Sequence, residues 1–406
     1  MMSKTRYKIR VIFLPNSFVV SNFIINFAQT KLTNNMNINV NRKTLLDALR
    51  FGGMVAGKNK TIPILDYCKV AVKGGKMVVT STDTEITIAK KVDGVECDVD
   101  NTEFCVVPSD LSTILATLRD ENVTLEVNES VCTLVHSRGT AKMAVLPAID
   151  FPSSPSSDTI TKFSMDASKL KEWLDASKSF VANDPLRPAL TGMYLAIENG
   201  EVWCAASDAH KLYMDGYKDI AFEGMATSMI VPNKMFGYAS SMLDGYASVT
   251  VTTNDNTVSF VVSDAKISAR LVMGAYPKVK SIIPKQNPIA VEVNTADLMG
   301  SISRMKLFAD KVSNQVLMSF SEDGLKLTCS DLLSNKSCED FCDVLAYDGG
   351  SIEICTKAEN LEAVVSKIHS ETMMFSMSEA NRAIVIYEAD NPNKVLFTMP
   401  LAKVNK

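Results

Sequence analysis

Met36-Asn-Ile-Asn-Val-Asn-Arg-Lys-Thr-Leu45 reads as a short strand, Ile38 to Val40, that runs into a helix starting at Asn41. Asparagine at that boundary accepts hydrogen bonds from backbone N–H groups that have no partner inside the helix. Leu45, Leu46, Ala48 and Leu49 then recur at helical spacing. The phrase returns twice. Phe163-Ser-Met165 leads into Asp166-Ala-Ser-Lys-Leu170, and Val291-Glu-Val293 leads into Asn294-Thr-Ala-Asp-Leu298. Each copy sets a capping residue four positions before a leucine. Self-similarity at long intervals is the mark of a repeated structural unit.

Later landmarks keep the same order. Gly75 to Asp83, Gly200 to Asp208 and Gly324 to Asp331 are each a turn glycine and a strand that ends at an Asp, the third one residue shorter. A second helix follows: Val107-Pro-Ser-Asp-Leu111, Val231-Pro-Asn-Lys-Met235 and Thr356-Lys-Ala-Glu-Asn-Leu361. Proline fits a helix start because its missing N–H is not needed there. Alternating strands come next at Val123 to Val127, Ser248 to Thr252 and Met373 to Met377. The endings Leu146-Pro147 to Phe151-Pro152 and Leu271 to Tyr276-Pro277 correspond, and Asn41 to Pro152 is as long as Asp166 to Pro277. The expected fold is α+β: three repeated domains, each made of two βαβββ halves, over residues 36–153, 160–284 and 288–406, with residues 1–35 as an extension that has no core of its own. In the stretch Ile267 to Lys285 a strand breaks at Gly274, turns at Tyr276-Pro277 and ends in an apolar tail, Ile282-Ile283.

At 406 residues the chain is too long for one core. With 46% hydrophobic and 22% charged residues and a net charge of −4, it has an ordinary globular composition and is not a polycation. Nine cysteines without a Cys-x-x-Cys or a Cys/His zinc spacing read as reduced, buried apolar residues of a cytoplasmic protein. No apolar run is long enough to span a membrane, and no phosphate-binding Gly-Lys-Ser/Thr loop occurs. A nucleic-acid-processing enzyme using Asp83, Asp208 and Asp331 is one alternative. However, one Asp per repeat at the same place is explained by turn capping. Asp208-Ala-His210 has no further ligands at metal spacing. A structural repeat protein of the same architecture is the other alternative.

In this frame the chain resembles the bacterial DNA polymerase III beta subunit, the sliding-clamp family, from Met36 to about Leu401. The resemblance is carried by Thr61-Ile-Pro-Ile-Leu65, Ser207-Asp-Ala-His-Lys-Leu212, Tyr276-Pro277 through Ile283-Pro284, and Phe397-Thr-Met-Pro-Leu401. It implies a non-catalytic processivity factor without a cofactor or metal. Two copies would join head to tail as a homodimer, each contributing half of a six-domain ring around duplex DNA. The partners it implies are a DNA polymerase catalytic subunit and a clamp loader ATPase, with no membrane.

The resemblance further implies a peptide pocket formed by Leu190, Ser207, His210, Leu212, Pro277, Ile282, Phe397, Met399 and Pro400. Ala209 stands where the family usually has Gly, and Lys211 where it has Arg. The DNA-facing cations would be Arg50, Lys58, Lys60, Lys169, Lys178, Arg187 and Arg304. Met143 and Val145 would meet Leu307 and Phe308 at the dimer interface.

Overall fold

The computed structural model describes residues 36–58, 61–153, 158–284, 286–388 and 390–401. The expected N-terminal extension, Lys60 and residues 402–406 lie outside them. Three times the chain runs strand, helix, three strands, a short extra strand, strand, helix, three strands. The helices are α1 (Arg42–Gly52), α2 (Pro108–Thr117), α3 (Ala167–Ser177), α4 (Asn233–Leu243), the single-turn α5 (Val279–Ile282), α6 (Thr295–Phe308) and α7 (Ala358–Val365). In each unit the two long helices pack on one another: α1 on α2, α3 on α4, α6 on α7.

Two of the three expected caps form. The Asn41 side chain accepts from Lys43 N at 2.9 Å, and that of Asn294 from Ala296 N at 3.0 Å and Asp297 N at 3.1 Å. Asp166 holds the cap position of α3, but its carboxylate accepts the Tyr217 hydroxyl at 2.9 Å instead. The leucines that set the helical spacing, Leu45, Leu170 and Leu298, are wholly buried.

The strands form open sheets of fourteen, nine and four. The sheets do not stop at unit boundaries. Ala265–Arg270 of the second unit pairs antiparallel with Ile86–Asp93 of the first, Ala269 opposite Ile86. Asn391–Thr398 of the third unit pairs with Lys211–Tyr217 of the second, Thr398 opposite Lys211. The first unit has its own core, while a larger core runs through the other two and takes in Val55, Ile86 and Ile88 from the first.

At the tip of one hairpin per unit sits the repeated aspartate, and its role is local. Asp83 Oδ1 accepts from the N–H of Glu85 (3.0 Å) and Ile86 (2.8 Å), and Asp208 Oδ1 from His210 and Lys211 (both 2.9 Å). Asp331 Oδ1 accepts from Leu333 and Ser334, both at 3.1 Å. The residue after the Asp turns left-handed in the first two hairpins, Thr84 at φ +79° and Ala209 at φ +77°. A Cβ in that region crowds the following carbonyl. Ala209→Gly is therefore expected to stabilise the fold by about 0.5–1 kcal/mol, moving the urea midpoint upward. An unmoved or lowered midpoint would show that the turn carries no such strain.

Candidate functional site

The pocket residues converge where the second and third units meet. Leu212 and Phe397 lie opposite one another in the ladder joining the units, and both are buried, so they form a floor. Beyond the ladder, Met399 N donates to His210 O at 2.7 Å, which binds the chain's end to the hairpin tip. Ser207, also buried, donates its hydroxyl to Lys211 O at 2.7 Å, and Lys211 Nζ pairs with Asp208 at 2.5 Å. Leu190, buried in the turn Pro188–Thr191, forms another side. Pro277 and His210 are exposed, and Met399 and Pro400 are half-buried. Ile282, 51% exposed, is the most open of the apolar groups.

What holds Pro277 and Ile282 there was not visible in the sequence. The segment after Gly274 (φ +128°) crosses the outer face of the nine-stranded sheet. Tyr276 stacks on Tyr194 with ring centroids 4.9 Å apart, and Tyr194 lies 5.0 Å from Trp203. Lys280 Nζ sits 4.1 Å above the Trp203 ring and 3.0 Å from Glu198, which also accepts from Trp203 Nε1 at 2.9 Å. Val279 is buried between them. The apolar tail expected after Tyr276-Pro277 is thus the helical turn α5, pinned by an aromatic bed and a cation–π contact. The signal available was the outward position of Trp203, one of two tryptophans in the chain.

Among the proposed DNA-facing cations, Arg50 and Lys58 are exposed. Lys178 pairs with Asp175 at 2.6 Å, Arg187 with Asp184 at 2.9 Å, and Arg304 with Asp340. Lys169 departs from the expectation of a free cation. It is drawn to the fully buried Asp215 carboxylate at 2.7 Å and to Glu172 at 3.0 Å. Burial works against its ammonium, yet the bonds to Asp215 and Glu172 hold its pKa above the ordinary lysine value. Asp215 also accepts from Trp173 Nε1 at 3.0 Å. Beside this group, buried Lys394 lies 3.3 Å from Glu172 and 3.2 Å from Glu388. Unlike charges buried together are worth little as net stability but are costly to break singly, so Lys394, which bridges Glu172 of the second unit and Glu388 of the third, ties the two units together.

The interface residues fare unequally. Val145 is 3% exposed and packs in the first unit's own core, opposite Val106. Alternation on its strand turns it inward, so its side chain is not free to meet a partner. Met143, two residues earlier, packs partly against the same core. Phe308 is 37% exposed and Leu307 74% exposed. The residues at the same distance from their helix caps as Phe308 are Val55 and Phe180, and both are fully buried. Val55 is buried in the core of the second unit and Phe180 packs against Tyr213 of its own unit, whereas among the described residues nothing covers Phe308 to that degree.

Of the nine cysteines, seven are buried and none forms a disulfide. Burial pushes the Cys105 and Cys132 thiols up to about 12. Among the described residues no cluster of His, Cys, Asp or Glu suits a metal ion, and no helix is long and apolar enough to cross a membrane.

The chain matches the N-terminal domain of the DNA polymerase III beta subunit over residues 36–155, the central domain over 164–278 and the C-terminal domain over 280–402. It is 24% identical over 368 residues to the beta sliding clamp of Pseudomonas aeruginosa, covering 90% of this chain and all of that one. It is 24% identical over 369 residues to that of Escherichia coli, with the same coverage. Solved structures share the fold. The Pseudomonas aeruginosa clamp bound to griselimycin superposes with a TM-score of 0.85 at 24% identity, and the Bacillus subtilis clamp with 0.85 at 19%, each covering 91% of this chain and all of the other. With all three domains matched in order along a threefold-repeated fold, the chain belongs to the DNA polymerase III beta subunit family.

Proposed function

We propose that this chain is a DNA sliding clamp, a non-catalytic processivity factor that closes with a second copy into a ring around duplex DNA. One observation carries the proposal: two junctions inside the chain are built alike, and the two surfaces that would make a third are left over. The strand Lys336–Cys342 ends its sheet with one edge unpaired. On the first unit, residues 139–144 pair on one side only, with Val131–His136. Unpaired edges invite pairing with another chain.

The internal junctions supply the register. Ala269 and Thr398 pair within their own hairpins with Val258 and Ile384, and the matching residue of the first unit is Met143, opposite Cys132. Ile86 and Lys211 correspond in the same way to Lys336. The third junction would then set Met143 of one copy opposite Lys336 of the other, with Lys142 opposite Ser337. Charges agree with this register. Lys90 meets Asp264 across the first junction at 2.7 Å, and Asp340 and Arg138 occupy those places in the third with the signs exchanged. Phe308 and Leu307 would be covered as Val55 is. Three units per copy, bounded as 36–153, 160–284 and 288–406, make a ring of six.

A ring holds DNA topologically, so its lining needs only weak, mobile phosphate contacts. Lys178, Arg187 and Arg304, each already paired with a carboxylate, and exposed Arg50 and Lys58 fit that need. The pocket at the second junction would seat a short apolar peptide from a polymerase catalytic subunit or a clamp loader ATPase. Tethering raises the effective concentration of the polymerase at the primer end.

Once loaded, the protein should remain on circular duplex DNA and run off after linearisation; equal loss from both would end the clamp proposal. Lys142→Cys with Ser337→Cys should give a covalent dimer on mild oxidation or with a short thiol crosslinker, while neither single variant does. Monomers alone in the double variant would refute the register. Met399→Ala with Pro277→Ala should weaken docking of a polymerase-derived peptide about 10-fold or more and leave the dimer intact. Loss of the dimer instead would move these residues to the ring interface.

A further inference from the structure

The third hairpin differs from its two counterparts in one respect. Two residues separate Asp83 from Ile86 and Asp208 from Lys211, whereas four separate Asp331 from Lys336. The additional length carries Leu332 and Leu333, which are 71% and 94% exposed. The turn is nonetheless held, since Asp331 accepts from Leu333 N and Ser334 N at 3.1 Å, and Leu332 O accepts from Asn335 N at 3.4 Å. Two leucines held in water on an ordered turn cost hydrophobic free energy unless something covers them.

The internal junctions show what such a tip meets. In the first, Glu85 O accepts from Arg270 N at 3.0 Å, and in the second His210 O accepts from Met399 N at 2.7 Å. Each tip thus abuts the end of the incoming strand of the next unit. In the first junction the tip is also gripped by Lys234, the second residue of α4, which lies 2.8 Å from Asp83 and 2.6 Å from Glu85. For the third tip the corresponding surface is the first unit of another copy. Its strand end is Ala144, and Asp110, three residues after Val107 as Lys234 is after Val231, stands in the place of Lys234. No cation is there to grip a carboxylate, and the tip has no glutamate to offer. Around this surface Leu146 is 37% and Ile149 68% exposed. The strand that leads into the turn touches the helix that bears Leu307 and Phe308, since Cys329, two residues before Asp331, donates its thiol to Met305 O at 3.4 Å.

We infer that Leu332 and Leu333 form an apolar clasp that seats on the first unit of a second copy, against Leu146 and Ile149 and beside Asp110. The clasp rests on the ring closure proposed above and replaces, at the junction between copies, the ion pairs used at the first junction within the chain. It gives the intermolecular junction a contact insensitive to salt, where the intramolecular one has Lys234 and two carboxylates.

The test is the dimer dissociation constant by sedimentation for the full chain and for Leu332→Glu with Leu333→Glu, at low and high salt. The double variant should dissociate about 30-fold or more easily, with an unchanged melting temperature for the monomer because both side chains face water. Adding Asp110→Lys should recover at least part of the loss at low salt and little at high salt, by restoring the pairing that Lys234 makes. If the double variant dimerises like the unaltered chain, the leucines serve another occupant and the clasp is overturned while the ring stands. If the unaltered chain is itself monomeric at all concentrations, the ring closure fails and the clasp with it. Weakening without recovery by Asp110→Lys would place the leucines against some other part of the second copy and overturn the seat assigned here.

Discussion

A strand at the margin of a sheet carries a row of N–H and C=O groups that must find partners in another strand or in water. In this protein that requirement is met across unit boundaries. Ala265–Arg270 completes the sheet of the first unit, and Asn391–Thr398 that of the second. Everything else at the junctions follows from those ladders. Val55 is buried because the neighbouring unit is brought over it. The hairpin tip reaches the end of the incoming strand because the register leaves it there. The described residues solve the edge problem this way twice and leave one edge of each kind open, which the proposed ring closure would pair.

The junctions share a backbone plan and differ in side chains. Lys90, Asp264 and Tyr246 bridge the first, with Tyr246 Oη donating to Asp264 at 2.5 Å and Lys90 pairing with the same carboxylate. At the second, the buried Lys394, Glu172 and Glu388 lie on the helix side, and Tyr194, Trp203 and Tyr276 on the outer side. The outer aromatic bed fixes α5 and Tyr276 against the sheet, with Val279 in one apolar cluster with Leu212 and Phe397. Rigid support under an exposed apolar rim lowers the ordering cost of docking a peptide.

The charged helices show a related economy. Most cations named for DNA contact have a carboxylate neighbour, which lowers the field each presents to a phosphate. Exposed pairs of this kind contribute little to stability, so their neutralising effect on the surface is the property that matters for a protein that must move along DNA. Lys169 lies at the other extreme: its partner Asp215 is fully buried, and the pair lies within the second unit.

Local chemistry repeats in the sequence, and whatever depends on local chemistry was legible there. The three helix starts, the glycine turns, the three turn-capping aspartates and the paired βαβββ pattern all stand where the spacing put them, because each is decided within a few residues. Asp166 shows the limit, since Tyr217, fifty-one residues away, takes the oxygen that the cap would have used. The pocket residues could be named only through family resemblance, and only the ladder register shows Leu212 and Phe397 as its floor. That Lys169 is tied down, that Val145 faces its own core and that Val279–Ile282 coils into a helical turn were decided by tertiary structure. In each case the deciding partner, Asp215, Val106 or Trp203, comes from a strand distant in sequence, and pairwise energies of that kind leave no trace in periodicity or spacing.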